Sequence, residues 1–299
     1  MILLADSGST KTHWCLMAAN GECSDIFTDG INPFYQTSDA IKNSIANQLL
    51  PQIGRLMWVG PITDIYFYGA GCTPEKIPNL VYALKAVFKQ AEVVEVYSDM
   101  MGAARALLGR KKGVACILGT GSNSCLYDGN AMVRNVPALG FILGDEGSGA
   151  VLGKRLVADL LKNQMGQDLK EKFLKQYEVT QADIIEHVYR QPFPNRYLAG
   201  MSKFCAENID DERIYNLVYD HFNQFVVRNL RQYYETEQGI EDLETKNMPV
   251  GFVGSIAHYY RNVLTKVLDD QGFNIAQILQ DPMEGLKDYH KNDVKTTAE

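Results

Sequence analysis

The chain reads LADSGSTKTHWCLM at residues 4–17 and CILGTGSNSCLYDG at residues 116–129. Each stretch is an apolar run, a turn of Gly, Ser and Thr, and a second apolar run. Two strand-length apolar runs joined by such a turn predict a β-hairpin. Making that hairpin twice, more than a hundred residues apart, predicts a chain of two related halves.

The segments around each hairpin support this. After ILLAD and HWCLMAA, residues 38–53 carry Ile41, Ile45 and Leu49 at helical spacing behind a Ser cap. DIYFYGAG then predicts a strand, PNLVYALKAVFKQA a helix, EVVEVYSD a strand and MMGAARALLG a helix. This strand–helix alternation predicts a sheet with helices on its faces. A basic break, GRKKG at 109–113, precedes the second hairpin. From about residue 147 the pattern is mainly helical, with a long helix expected near 212–238. The strand MPVGFVG and the helix SIAHYYRNVLTKVLDD follow, and the polar tail from Lys291 is expected to fray.

Composition narrows the function classes. A formal charge of −7 and a pI near 5.3 argue against nucleic acid or a membrane surface as partner, since either needs a basic face. No run approaches the length of a membrane span, and MILLADSG lacks the basic start of a signal peptide. The six cysteines include no CxxC pair, and the histidines show no zinc spacing. Cys15, Cys116 and Cys125 fall in strand-like runs, which predicts buried thiols and a cytoplasmic protein.

DSGSTKT is no Walker A loop, because GxxxxGK[ST] is missing and a strand follows the turn. It reads as a β-hairpin turn whose Gly8 permits positive φ. The N–H groups of Gly8 to Lys11, with the hydroxyls of Ser9, Thr10 and Thr12, could form a nest for an anion. Lys11 adds a charge suited to phosphate, and Asp6 could hold Mg²⁺ through water. An ordinary hairpin with polar decoration fits the same residues. LGTGSN at 118–123 repeats the arrangement, and two such hairpins suggest two lobes clamping a polyphosphate. PVGFVGSIAHYY at 249–260 ends a strand in glycine and opens a helix at Gly254 and Ser255, either as a tight turn or for close approach of a flat ligand. Asp99 ends a strand, where it either caps the next helix or serves as a catalytic carboxylate. GFILGDEGSGAVLG at 140–153 sets Asp145 and Glu146 among Gly140, Gly144, Gly147 and Gly149, implying an unusual backbone path, ligand approach or a hinge.

DSGSTKT, LGTGSNS and VGFVGS, in that order, resemble the two phosphate motifs and the adenosine motif of the actin/sugar kinase/Hsp70 ATPase superfamily. GDEGSG after LGTGSNS resembles the N-acetylglucosamine kinase family and its BadF-type ATPase relatives. The resemblance implies an α/β fold of two RNase H-like (actin-like ATPase) domains with an interdomain cleft. It places the first domain at residues 1–112, joined by a C-terminal helix at about 284–299, and the second at 113–283. It also implies an ATP- and Mg²⁺-dependent kinase acting on the 6-hydroxyl of an amino sugar, with N-acetylglucosamine foremost.

Residue by residue, the resemblance assigns the ATP phosphates to Gly8, Ser9, Thr10, Lys11 and Thr12 and to Gly119, Thr120, Gly121 and Ser122. Asp6 would lie near the metal, and Gly254 and Ser255 against the adenosine. Asp99 matches the general base. Asn32, Thr120, Asn123, Gly140, Phe141 and Asp145 match sugar-binding positions, and a homodimer is expected. Phe141 stands where eukaryotic relatives carry Trp, which keeps an aromatic wall but removes an N–H donor. Glucosamine, glucose and N-acetylmuramate stay open as substrates. The rival of another class is an ATPase that activates a radical dehydratase through a shared iron–sulfur cluster. It needs cysteines presented at an interface, and none of the six is expected in a glycine-rich presenting loop.

Overall fold

In the computed structural model, residues 1–8, 10–18, 20–56, 60–235 and 247–291 are described. The chain divides into two compact units, Met1–Arg110 with Pro282–Glu299, and Lys111–Asp281. Among the described residues no helix is long and apolar enough to cross a membrane.

The first unit is built on a five-stranded sheet: β1 (Ile2–Ser7), β2 (Lys11–Met17), β3 (Cys23–Asp29), β4 (Asp64–Gly69) and β5 (Val93–Ser98), in the order β3-β2-β1-β4-β5. β1, β2 and β3 run antiparallel in sequence, while β4 and β5 lie parallel to β1. Parallel pairing aligns Ser7, Gly69 and Ser98 across three strands. The carboxyl ends of those strands therefore share one edge, where an open α/β sheet binds ligands. Alternation along β1 and β2 buries Leu3, Ala5, Trp14 and Leu16 with Ile41, Ile45 and Leu49 from the helical stretch 38–53. Thr37, one residue before the expected Ser, caps that stretch by accepting from the Ala40 amide. The helix Met283–His290 returns to this unit. Gly285 packs on the Ala106 backbone, and His290 Nε2 lies 2.8 Å from the Tyr68 hydroxyl. The remainder of the expected C-terminal helix, 292–299, lies outside the described residues.

The second unit repeats the plan with β6 (Gly113–Leu118), β7 (Ser122–Tyr127), β8 (Met132–Asn135), β9 (Val250–Val253) and β10 (Ile275–Leu279), in the order β10-β9-β6-β7-β8. β6, β7 and β8 are antiparallel, and β9 and β10 are parallel to β6. Strand for strand, this is the first unit's topology. The doubled turn is thus the link between the first two strands of each of two like sheets, the actin-like, RNase H-type arrangement that the sequence implied. Helices at 149–161, 212–225 and 261–270 bury Leu152, Leu156, Phe222, Phe225 and Leu264 against the sheet.

Two helix expectations change. The segment SIAHYYRNVLTKVLDD breaks at Tyr260 into Ser255–Tyr259 and Arg261–Asp270. The buried Tyr260 hydroxyl donates to the Ser202 carbonyl, a tertiary contact that decides the break. The long helix from residue 212 is α-helical to Phe225 and then widens and tightens through Tyr233. Its expected end, at 236–238, lies outside the described residues.

Candidate active site

In the first unit, Asp6 lies near the carboxyl end of the central strand β1, opposite His13. The turn that follows closes on itself, the Gly8 amide donating to the Lys11 carbonyl at 3.0 Å. Gly8 does not use the positive φ that glycine permits there. Thr10 and Lys11 are exposed, whereas Ser9 lies outside the described residues. Thr12 differs from the expectation in direction. It is fully buried, and its hydroxyl lies 2.7 Å from Ser7 Oγ and donates to the Asp29 carbonyl. Both hydroxyls accept from the Ile31 amide. The hydroxyl of Thr12 thus anchors the loop leading to Asn32.

Asn32 is buried, and its Oδ1 accepts from the Phe34 amide at 3.0 Å. It is pressed against Gly71, which has φ +75°, so closely that a Cβ on Gly71 would stand 2.0 Å from Asn32 Oδ1. GAGC at 69–72 therefore has a packing reason for its second glycine. Asp99 opens the helix Asp99–Leu108 directly after β5. Ser98 is the cap, accepting from the Met101 amide, while Asp99 Oδ1 accepts from Met100 at 2.9 Å. Capping is thus done by the neighbour. Burial, against the pull of the Met100 amide and its own, raises the Asp99 carboxyl above the usual range. Burial, reinforced by the Asp99 charge, pushes the Cys72 thiol up to about 12. Sequence reading missed Cys72 beside Asp99. It follows the glycines of GAGC but is buried.

In the second unit, the turn after β6 closes through the Gly119 amide and the Gly121 carbonyl at 2.9 Å. The amides of Gly149 and Ala150, at the start of the helix Gly149–Leu161, donate to the carbonyls of Gly119 and Thr120. This leaves Thr120 exposed at the tip and Ser122 buried. Asp145 lies over the turn: a Cβ on Gly121 would meet Asp145 Oδ2 at 3.0 Å. Asp145 has φ 55°, a left-handed conformation in which its N–H donates to the Ala138 carbonyl at 2.9 Å. Burial raises its carboxyl, opposed by the amides of Ser122 and Gly140. Glu146, one residue on, points elsewhere and pairs with Arg228 at 2.7 Å. A cavity of about 240 Å³ lies alongside, lined by Gly144 and Glu146 on either side of Asp145 and by Val136, Leu139 and Arg228. The ring of Phe141 packs partly on the core, and its carbonyl accepts from Lys154. Gly254 and Ser255 stand at the end of β9 beside Leu118 and Gly119, so the third glycine motif and the second turn meet.

Beneath the Asp145 loop lies His221, which the sequence did not single out. Backbone groups of Gly147 and Ser148 hydrogen-bond its ring, and Nε2 is buried without a partner. Burial first, and then the Arg155 charge, bring its pKa down to about 3, against 6.5 in a free histidine. Between those values the unfolded chain binds more protons than the folded one. Stability is therefore lost as the pH falls from 6.5 towards 3, by at most about 1.4 kcal/mol per pH unit from this group. Thermal unfolding followed from pH 6.5 to 4.5 is expected to show a shallower acid decline for His221→Gln than for the parent. Equal slopes would remove His221 from the account.

No protein-family model and no curated protein matches the chain. Solved structures do. A Porphyromonas gingivalis protein provisionally designated an N-acetylglucosamine kinase is 48% identical, covering 98% of this chain and 99% of that one, with a TM-score of 0.89. A Chromobacterium violaceum protein of the same provisional designation is 16% identical over 96% and 98% of the two chains, with a TM-score of 0.70. A ROK family glucokinase from Streptomyces griseus, in complex with glucose and AMPPNP, is 13% identical over 96% and 97%, with a TM-score of 0.53. These last two share the fold. With two like sheets, a glycine turn in each and a 48% identical relative over almost its whole length, the chain belongs to the N-acetylglucosamine kinase family of sugar kinases.

Proposed function

We propose that the protein transfers the γ-phosphoryl group of ATP to the 6-hydroxyl of an amino sugar, with N-acetylglucosamine the substrate the family relation favours. The observation that carries the reading is Asp99, a carboxylate with a raised pKa at the carboxyl edge of a parallel sheet, backed by a helix and free of the capping role. One Asp99 oxygen takes the sugar's proton as the 6-hydroxyl attacks, while the other keeps the Met100 amide and fixes the carboxylate. Asn32, Thr120, Asn123 and Asp145 are the residues assigned to the sugar by the resemblance. Asp145 accepts from a sugar hydroxyl, since its carboxylate is a pure acceptor once ionised. Lys11 and the exposed turn residues neutralise phosphate charge, which is most of what phosphoryl transfer asks of a protein.

The donor set fits Mg²⁺ held chiefly by phosphate and water. Asp6 is a single carboxylate, and no group of three or more His, Cys, Asp or Glu able to hold a metal occurs among the described residues. When bound, Mg²⁺ supplies charge neutralisation at the β- and γ-phosphates. A cytoplasmic protein is the expectation from its buried thiols, and a homodimer is what the resemblance implies.

ADP release with Mg·ATP tests the reading against no sugar, N-acetylglucosamine, glucosamine, glucose and N-acetylmuramate. Stimulation greatest with N-acetylglucosamine is expected. A slow, sugar-independent hydrolysis would overturn the kinase reading and favour an activator ATPase.

A further inference from the structure

Asn123 lies on β7 just past the second turn, and the proposed function places it against the sugar without saying which end of its carboxamide faces out. Its Oδ1 accepts from the Ser124 amide at 2.9 Å and from Asn135 Nδ2 at 3.0 Å. Asn135, the last residue of the edge strand β8, also donates to the Ser124 carbonyl at 2.5 Å. Backbone groups fix both amides. A backbone N–H can be met only by Oδ1, and a backbone C=O only by Nδ2, so turning either side chain over would set like groups against each other. Nδ2 of Asn123 is left with no partner among the described residues.

The support beneath is rigid. The β7–β8 pairing shifts register between Leu126 and Tyr127, and the buried Tyr233 hydroxyl bridges the two segments. It donates to the Ser124 carbonyl at 2.9 Å and accepts from the Val136 amide at 2.8 Å. Asn135 is therefore held between Ser124 and a pinned Val136.

We propose that Asn135 is a positioning residue for sugar recognition. Together with the Ser124 backbone, it turns the Asn123 carboxamide so that its N–H₂ faces the ligand and selects an acceptor oxygen there, a hydroxyl or acetamido carbonyl oxygen. Asp145, an acceptor, then reads a sugar hydroxyl as donor, and the pair distinguishes the two roles. This rests on the sugar kinase reading.

The test is steady-state kinetics with N-acetylglucosamine for N135D, N135A, N135Q and N123A, with Tm measured alongside. In N135D the introduced carboxylate cannot donate to Asn123 Oδ1 or to Ser124. The cheapest repair is for Asn123 to turn over and donate inward, presenting its oxygen to the ligand. N135D is expected to raise KM for the sugar about tenfold, N135A less, since Ser124 still holds Asn123. N135Q keeps a donor and is expected to restore part of the loss. KM for ATP should not follow. In the N123A background, N135D should add nothing further. If N123A raises the sugar KM but N135D does not, or if N135D shifts KM for ATP and Tm as much as KM for the sugar, the positioning role is wrong and the kinase reading survives. If N123A leaves the sugar KM unchanged, Asn123 is not in the sugar site, and the inference falls with that assignment.

Discussion

Asp99→Asn is expected to lower kcat by roughly 10²- to 10⁴-fold, the range a general base contributes, without unfolding the protein. The substitution is nearly isosteric, and the Asn oxygen can still accept from the Met100 amide as Asp99 Oδ1 does. What it cannot do is take a proton. Stability should move the other way or stay level. Burial holds the Asp99 carboxyl above its usual range, so keeping it ionised at neutral pH costs the folded state energy, and a neutral side chain removes that cost. The parent should also show an acid limb in kcat/KM above the ordinary carboxylate range, absent from the variant. Sugar-stimulated ADP release and Tm, measured on both proteins, check this. A kcat within threefold of the parent would take the base away from Asp99.

Gly254→Ala is expected to be the more damaging change to structure. Gly254 sits at φ 122° and ψ 162°, a backbone region open essentially only to glycine. It cannot relax out of it easily, because its amide donates to the Leu279 carbonyl and its own carbonyl accepts from His258, each at 3.0 Å. A Cβ would stand 2.4 Å from the Leu118 carbonyl oxygen and 3.3 Å from the Gly119 nitrogen, all backbone atoms. Strain of about 1–3 kcal/mol is then joined by a clash that must move the turn holding Gly119 to Gly121. A loss of about 3 kcal/mol or more and a raised KM for ATP are expected, read by denaturant unfolding and kinetics. Gly272→Ala is the control: φ is 77° there and nothing lies within 4 Å, so only the backbone cost applies. Equal losses in the two variants would show that contact with the turn contributes nothing.

The strands flanking each turn were legible because alternation and glycine punctuation are local. So was Asp99, at a strand end before an alanine-rich helix. The edge strands β3, β8 and β10 were not: β3 and β8 have much of their length exposed, and CSDIFTD or MVRN carries little apolar pattern, while β10 is a short, half-buried strand. The helix break at Tyr260 depends on Ser202, fifty-eight residues away.

At the candidate site the division is sharper. Two like sheets, a glycine turn in each, and the order in which Asp99, Asp145 and Gly254 arrive could all be read from the residues alone. Those follow from residue types within a few positions of one another. Which polar groups are taken up inside the protein and which are left open was settled by the fold. Thr12 turns inward because Ser7, Asp29 and Ile31 take its hydroxyl, and Asn123 turns its nitrogen outward because Ser124 and Asn135 take its oxygen. A hydroxyl or amide beside a turn can point either way at nearly equal local cost, so the choice falls to hydrogen-bond partners brought in from other strands.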